Sequence, residues 1–520
     1  MHQSVQHAGD GEEHQGLSAW AALPVRERIA WVRRFRRRVA DHATSLSRTI
    51  AEEIGKTEFE ALTGDVLPLL ACCRWIERRG WKCLRPRRVR GGAFWQLGQR
   101  HEVHREPLGH IAIIATWNYP VQLVGIQLVH ALAAGNRVTV KPSEHAPRAQ
   151  AILIELAQQA GLPGETLSMT DATREAGAAM LRRQRFDHII FTGSTGVGRA
   201  IAEHAATTLT PTTLELSGRD SAFVLADANV ALAAESIWNA VTMNGGQTCM
   251  APRRVLVERS IYRQFIAALA PHAASARPRT LISADAAARV RALARDAIER
   301  GGRSLSGMAE PGTGATLRPL AIADCPADSE LVAGDHFGPA VAIVPVDSIE
   351  DEGLHLHRRC AQHLATSIFS GSPQRARALA ARCGASIITI NDCILPTAHP
   401  AVTLAGTGES GWGVSRGEAG LLAMTRPVQV AITRPFLRPD VQPPTRKTAR
   451  LMQRFVRWWY GSDSWGSLII ADSPSADRPL APVPPASAVH PLSDEPARAR
   501  HAAPNPSRNH SHVSTSSRAS

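Results

Sequence analysis

The residue types best suited to covalent chemistry in this chain of 520 residues are a thiol at Cys249 and a carboxylate at Glu215, 34 positions upstream. Cys249 sits in Asn244-Gly-Gly-Gln-Thr-Cys-Met-Ala-Pro-Arg253, where small residues can leave a nucleophile accessible. Glu215 sits in Thr213-Leu-Glu-Leu-Ser-Gly218, an apolar run of strand character. Such a pair can serve as nucleophile and base. A lone thiol is more often a buried structural group, so the assignment rests on what else the chain brings to it. A third feature is the glycine turn Phe191-Thr-Gly-Ser-Thr-Gly-Val-Gly198, placed after a strand-like run and before a helical stretch from Arg199 to Ala205. Glycines there let backbone amides approach a phosphate, and a helix N-terminus adds its positive dipole end. The spacing differs from the G-x-G-x-x-G dinucleotide fingerprint.

The elements that must position these groups alternate in type. Ser18 to Leu84 reads as helices, with apolar residues at three- and four-residue spacing through Ile29, Val32, Phe35 and Val39, and again through Leu67, Leu70 and Trp75. From Gly109 onward, short apolar runs alternate with longer amphipathic stretches, as parallel βαβ units require. One series comprises 110–115, 137–140, 187–191 and 221–225, and a second comprises 254–257, 341–346, 366–369 and 386–390. The fold class is therefore α/β with two lobes.

Composition narrows the function classes. The chain is 44% hydrophobic and 20% charged, enough to build more than one core. No apolar run is long enough to span a bilayer, and the N-terminus lacks the basic-then-apolar order of a signal peptide, so the cytoplasm is the expected compartment. Eight cysteines at irregular spacing show neither a zinc pattern nor a disulfide framework, and no metal is expected. The net charge of +13 raises the question of nucleic acid. Its carriers are nearly all arginine, the lysines being Lys56, Lys82, Lys141 and Lys447, and the runs at 33–38 and 85–90 have no aromatics spaced for base stacking. No nucleic-acid partner is expected. Residues 473–520 hold nine prolines and no aromatic residue, a composition that cannot bury enough surface to offset chain entropy.

Several signals occur in one order. They are Glu106-Pro-Leu-Gly-His-Ile-Ala-Ile-Ile-Ala-Thr-Trp-Asn-Tyr-Pro120, Ala133-Ala-Gly-Asn-Arg-Val-Thr-Val-Lys-Pro-Ser-Glu144, the glycine turn, Glu215 and Cys249. Asp335-His-Phe-Gly-Pro339, Ile390-Asn-Asp392 and Glu409-Ser-Gly-Trp-Gly413 follow. Over residues 17–436 this series resembles the aldehyde dehydrogenase superfamily, and Trp117-Asn-Tyr-Pro120 with the late Pro443-Pro-Thr-Arg-Lys447 is most similar to its class 3 group, which acts on fatty and aromatic aldehydes.

The resemblance implies an aldehyde dehydrogenase-like fold: a Rossmann-type cofactor domain over residues 17–84 and 104–218, an α/β catalytic domain over 219–420, and a bridging β-arm from 85–103 and 425–436. The remaining segments are an amphipathic stretch over 437–472 and disordered ends at 1–16 and 473–520. In the family the arm pairs with a second subunit, which implies a homodimer. By the same resemblance Cys249 is the nucleophile that attacks an aldehyde, Asn118 an oxyanion donor with the Cys249 backbone N–H, and Glu215 the base that activates hydrolytic water. Trp117, Lys141, Ser143, Glu144, Gly193, Ser194, Thr195, Gly196, Val197, Gly198, Asp335 and Phe337 correspond to cofactor positions. A carboxylate at Glu144 favours NAD and allows NADP less readily. Thr248, Met250 and Trp412 correspond to the substrate wall, and an apolar lining with no evident arginine selector points to an aromatic or long-chain aldehyde.

Departures mark a divergent member. Thr116 stands where the family has proline, Ser217 and Arg219 replace a glycine and a lysine after Glu215, Asp335 replaces a glutamate, and Thr403-Leu-Ala-Gly406 replaces Pro-Phe-Gly-Gly. Beyond the core, Leu451-Met-Gln-Arg-Phe-Val-Arg-Trp-Trp-Tyr460 combines aromatics with arginines, which suits peripheral attachment to a membrane or docking over the substrate entrance. An enzyme is the leading expectation; the alternative is a catalytically weak relative acting as a binding or scaffold protein.

Overall fold

Apolar residues spaced by three and four bury one stripe of each N-terminal helix. In Val25–Asp41 the stripe is Ile29, Val32, Phe35 and Val39, as the periodicity predicts. In Leu67–Leu84 it is Leu69, Cys72, Cys73 and Ile76; Leu67 is exposed, and Leu70 and Trp75 are half-buried. The expected face is thus rotated, because this helix lies against Gln122–Ala134, a helix buried almost all round. Gly125 admits the Leu69 side chain there: a Cβ at that position would sit 2.7 Å from Leu69 Cδ2. Two buried indoles satisfy their N–H groups on the same layer, Trp20 on Leu132 O at 2.8 Å and Trp31 on Ala157 O at 3.1 Å.

This computed structural model describes residues 18–91, 98–307, 314–433 and 445–461. The expected disordered ends lie outside the described residues, as do 92–97 and 434–436 of the arm and the beginning and end of the 437–472 segment.

Two sheets carry the site. The first has six strands in the order Gly411–Trp412, Thr212–Leu216, His188–Gly193, His110–Ile114, Arg137–Lys141 and Leu167–Met169, parallel except for the first pair. The second has seven, with Pro252–Glu258 and Asp220–Val224 at its centre. Between Leu216 and Asp220 the chain crosses from one sheet to the other. The Asp220–Val224 strand, grouped by sequence with the first series, belongs to the second sheet, pairing with Pro252–Glu258 and Ala365–Phe369. All five of its positions are buried, and a continuously buried strand carries no mark of which sheet receives it. A separate antiparallel sheet joins Arg87–Val89, Gln99–Pro107 and Thr425–Thr433, so its middle strand runs past the expected limit at 103.

The return of Gly411–Trp412 beside Thr212–Leu216 sets Gly411 opposite Glu215. Only glycine fits, since its φ is +99° and a Cβ would lie 2.0 Å from Leu214 O. The helix Arg446–Tyr460 lies, apart from its first residue, in a second unit that begins at Lys447. Among the described residues no helix is long and apolar enough to cross a membrane.

One buried ion pair links these layers. Lys56 Nζ donates to Asp65 Oδ2 at 2.8 Å, with both side chains almost wholly buried, and also donates to Asn118 O at 3.0 Å. Asp65 Oδ1 accepts from the Val121 and Gln122 N–H groups at 3.1 and 3.2 Å, placing a carboxylate at the start of the Gln122–Ala134 helix. That helix begins at Gln122. Replacing Lys56 by Met leaves Asp65 buried without its cation and is expected to cost about 3 to 5 kcal/mol of stability. Urea denaturation measures this, and the double variant Lys56→Met, Asp65→Asn should lose less than the two single variants added together.

Candidate active site

Cys249 follows a short 3₁₀ turn, Met243–Gly246, and precedes the central strand Pro252–Glu258. Three successive left-handed residues, Asn244 (φ +52°), Gly245 (+62°) and Gly246 (+71°), turn the chain toward the cavity. A Cβ on Gly246 would lie 2.3 Å from the Gly338 carbonyl carbon, so the glycines in Asn244-Gly-Gly are a steric requirement. Asn244 Nδ2 donates to Asn118 O at 2.9 Å, and Asn118 Nδ2 donates to Gln247 O at 3.1 Å. Arg253 closes the turn from below, donating to Gly246 O, Gly338 O and Thr248 O at 2.9, 3.0 and 2.9 Å.

The nucleophile loop and the Asn118 loop are therefore one hydrogen-bonded unit. Thr116, a departure from the family pattern, donates through Oγ1 to Asn118 Oδ1 at 3.1 Å, and the Gln247 carbonyl, which can only accept, fixes which end of the amide donates. Gln150 ties the loop to the helix behind it by donating to Thr116 O at 2.7 Å and accepting from Ser143 N at 2.7 Å. The Cys249 backbone N–H has no acceptor among the described residues. It and the second Asn118 N–H are donors available to an oxygen atom of a ligand beside the Cys249 sulfur.

Cys249, Asn118 and Glu215 line one cavity of about 810 Å³. Glu215 Oε2 accepts from Thr192 Oγ1 at 3.1 Å and Gln127 Nε2 at 3.3 Å, whereas its buried Oε1 has no partner. A buried carboxylate oxygen without a donor is costly unless water or a ligand meets it. Burial pushes the Cys249 thiol up to about 12; Asp220 and Glu215 add to the rise, and Arg416 and Arg253 oppose it. Asp220, at the start of its strand, is itself raised to about 8 by burial. Its Oδ1 accepts from Ala365 N at 2.8 Å, and Oδ2 has no partner.

The cofactor candidates fall into three groups. Trp117, Gly193, Ser194, Asp335 and Phe337 line the cavity, with Trp117 edge-on to Phe337 at 5.7 Å between ring centroids. Thr195, Gly196 and Val197 form the first turn of the helix Thr195–Thr207, which starts earlier than Arg199. Ser194 makes no side-chain cap there, and a Cβ on Gly196 would meet nothing within 4 Å. The first-turn amides and the open space beside Gly196 suit a phosphate group. Gly198 has a packing constraint of its own: a Cβ there would lie 2.6 Å from Leu216 Cδ2, so its lack of a side chain lets the helix sit close on the sheet. Lys141 and Glu144 pair with each other at 2.5 Å at the end of the Arg137–Lys141 strand, and Ser143 is buried beside them.

Among the substrate candidates, Thr248 and Met250 line the cavity, and Thr248 Oγ1 lies 2.7 Å from Tyr119 Oη. Trp412 does not line it. It is half-exposed, with Nε1 donating to Thr212 Oγ1 at 2.8 Å. Successive strand residues face opposite ways, so the pairing that turns Gly411 toward Glu215 turns Trp412 aside. The expected absence of an arginine is also corrected: Arg279, Arg289 and Arg416 line the cavity. Their sequence neighbourhoods carry no local mark of this; only the fold brings them together.

A cysteine between two α/β sheets shares a cavity with a carboxylate and an amide donor, an arrangement chemically able to support covalent catalysis by a thiol. Comparison with known proteins identifies the group. The model of the aldehyde dehydrogenase family matches residues 3–430, and the chain belongs to that family. It is 29% identical to the 4,4'-diapolycopene aldehyde oxidase of a Methylomonas species, over 86% of this chain and 85% of that one. It is 28% identical to a probable coniferyl aldehyde dehydrogenase of Pseudomonas aeruginosa, over 79% and 86%. Among solved structures, a putative aldehyde dehydrogenase from Burkholderia cenocepacia superposes with a TM-score of 0.76 at 27% identity, over 82% and 88% of the chains. The NAD+ complex of an aldehyde dehydrogenase from Bacillus cereus superposes with a TM-score of 0.74 at 25% identity, over 80% and 86%.

Because its ionisation lies far above neutrality, alkylation of Cys249 by iodoacetamide is expected to rise about tenfold per pH unit from pH 7 to 9 without levelling. Peptide mass spectrometry of the treated protein measures it, and saturation below pH 8 would contradict the assigned environment.

Proposed function

We propose that this chain oxidises an aromatic or long-chain aldehyde to its carboxylic acid, with NAD preferred over NADP, as a homodimer in the cytoplasm and as a divergent relative of the class 3 group. The observation that carries the chemistry is that Cys249, Asn118 and Glu215 line one cavity, with Glu215 Oε1 unpartnered in its wall. Relatives named for coniferyl aldehyde and for an apocarotenoid aldehyde support the substrate class.

In this reading the Cys249 thiol gives its proton to a cavity water as its sulfur adds to the aldehyde carbon, and the resulting oxyanion is met by the Asn118 amide and the Cys249 N–H. Residues Gly193 to Val197 would hold the phosphates of a nicotinamide dinucleotide, and Trp117, Asp335 and Phe337 its nicotinamide end. The chemistry that cofactor supplies when bound is acceptance of a hydride from the thiohemiacetal carbon, leaving a thioester. Glu215 then takes a proton from water as the water attacks the thioester carbonyl, and the acid departs as Cys249 regains its proton. The Glu144 carboxylate, already held beside Lys141, disfavours a 2′-phosphate by charge.

NADH formation at 340 nm, measured over a panel of aromatic and long-chain aldehydes, tests the proposal. Turnover is expected with wild type and none with Cys249→Ser. Glu215→Gln is expected to release one burst of NADH and then stall, with the acyl group detectable on Cys249 by intact-protein mass. Failure of every aldehyde to reduce either cofactor would sink the reading.

A further inference from the structure

Arg416 is the most anomalous residue in the cavity wall. It is buried, it precedes the short helix Gly417–Ala423, and its backbone has φ +63° and ψ 165°, a combination that side-chain-bearing residues rarely adopt. The next residue, Gly417, also has positive φ and meets the steric demand with hydrogen: a Cβ there would lie 2.4 Å from Ala401 O. At 416 a glycine would relieve the backbone in the same way, yet the chain places its largest cation there.

The guanidinium is not consumed by the protein around it. Nη1 donates to Thr397 O at 3.2 Å. Nη2 lies 2.9 Å from the Gln122 amide oxygen, when that amide is oriented so that its nitrogen donates to Gly64 O at 3.3 Å. These bonds take two of five N–H donors, and the other three have no acceptor among the described residues. No carboxylate among the described residues forms an ion pair with Arg416. Glu215 attracts it from a distance, but Glu215 Oε2 is engaged by Thr192 and Gln127. Thr397, Gln122 and Arg416 all face the cavity that holds Cys249. A buried cation with donors in hand and no direct counter-ion calls for an anion or strong acceptor from outside the protein.

We infer that Arg416 is a specificity-determining residue whose guanidinium binds a carboxylate carried by the aldehyde substrate itself. This rests on the aldehyde-oxidising reading and narrows its substrate class to aldehydes with an anionic group on the same ring or chain as the formyl group. Arg416 grips the far oxygens of the substrate while Cys249 takes the formyl carbon, so two fixed points orient the molecule in the cavity.

The test compares kcat/KM for 2-, 3- and 4-carboxybenzaldehyde with that for the matching methylbenzaldehydes, in wild type, Arg416→Gly and Arg416→Lys. A parallel arm measures calorimetric binding of the three benzenedicarboxylates and the matching methylbenzoates to the full chain. Wild type is expected to favour at least one carboxylate isomer by about tenfold or more, the worth of one charge-assisted hydrogen-bonded contact. Arg416→Gly, which suits the local backbone, should bring that ratio close to one and abolish binding of the corresponding dicarboxylate. Arg416→Lys should keep part of both. No preference in wild type, a preference that survives Arg416→Gly, or an equal fall for charged and neutral aldehydes would overturn the inference, the last by showing that Arg416 serves Cys249 instead. If no aldehyde is oxidised at all, the catalytic reading fails, and dicarboxylate binding still decides the role of Arg416.

Discussion

The arrangement depends on one buried ion pair. Lys56 and Asp65 are removed from water together, and each also bonds backbone beside the cavity: Lys56 donates to Asn118 O, and Asp65 accepts from the first N–H groups of the helix that follows. Burying a charged pair is not an efficient way to gain stability, since its desolvation offsets much of the attraction. What it secures is position. Lys56 and Asn244 hold the backbone carbonyl of Asn118, while Thr116 and the Gln247 carbonyl hold its side-chain amide, so that amide has little freedom to drift.

The electrostatics of the nucleophile oppose its resting ionisation. Two carboxyl groups, Asp220 and Glu215, raise the thiol further after burial has done most of the work, and Arg253 and Arg416 oppose them. A thiol held in this state is a poor target for adventitious electrophiles and oxidants, because the thiolate is the reactive form. All eight cysteines are free in the structure, and seven of them are buried.

That Cys249, Glu215 and Asn118 come together was legible because their signals are local. Asn244-Gly-Gly ahead of Cys249 reports a backbone that only such residues adopt, and the strands that flank the site are short apolar runs between turn residues. The rest was settled by pairing and packing across long sequence separations. Trp412 looked like a tunnel residue until strand alternation turned it aside from the face of Gly411, and the contact that Leu216 makes over Gly198 is visible only in the fold. Arg416 lies in a loop whose sequence gives no hint that Thr397 and Gln122 will gather around it. Asp220 is separated from Glu215 by only four residues, yet it lies in the other sheet.

The scarcity of lysine acquires a chemical meaning once the substrate is a carbonyl compound. Primary amines condense with aldehydes to give imines, whereas a guanidinium keeps its proton and does not. Of the chain's four lysines, Lys56 is the one in the cavity wall, and its ammonium is held by Asp65, which keeps it charged, and by Asn118 O. An aldehyde diffusing toward Cys249 past Arg279, Arg289 and Arg416 therefore meets cations that can attract and align it, and no free amine that would trap it as a Schiff base before it reaches the sulfur.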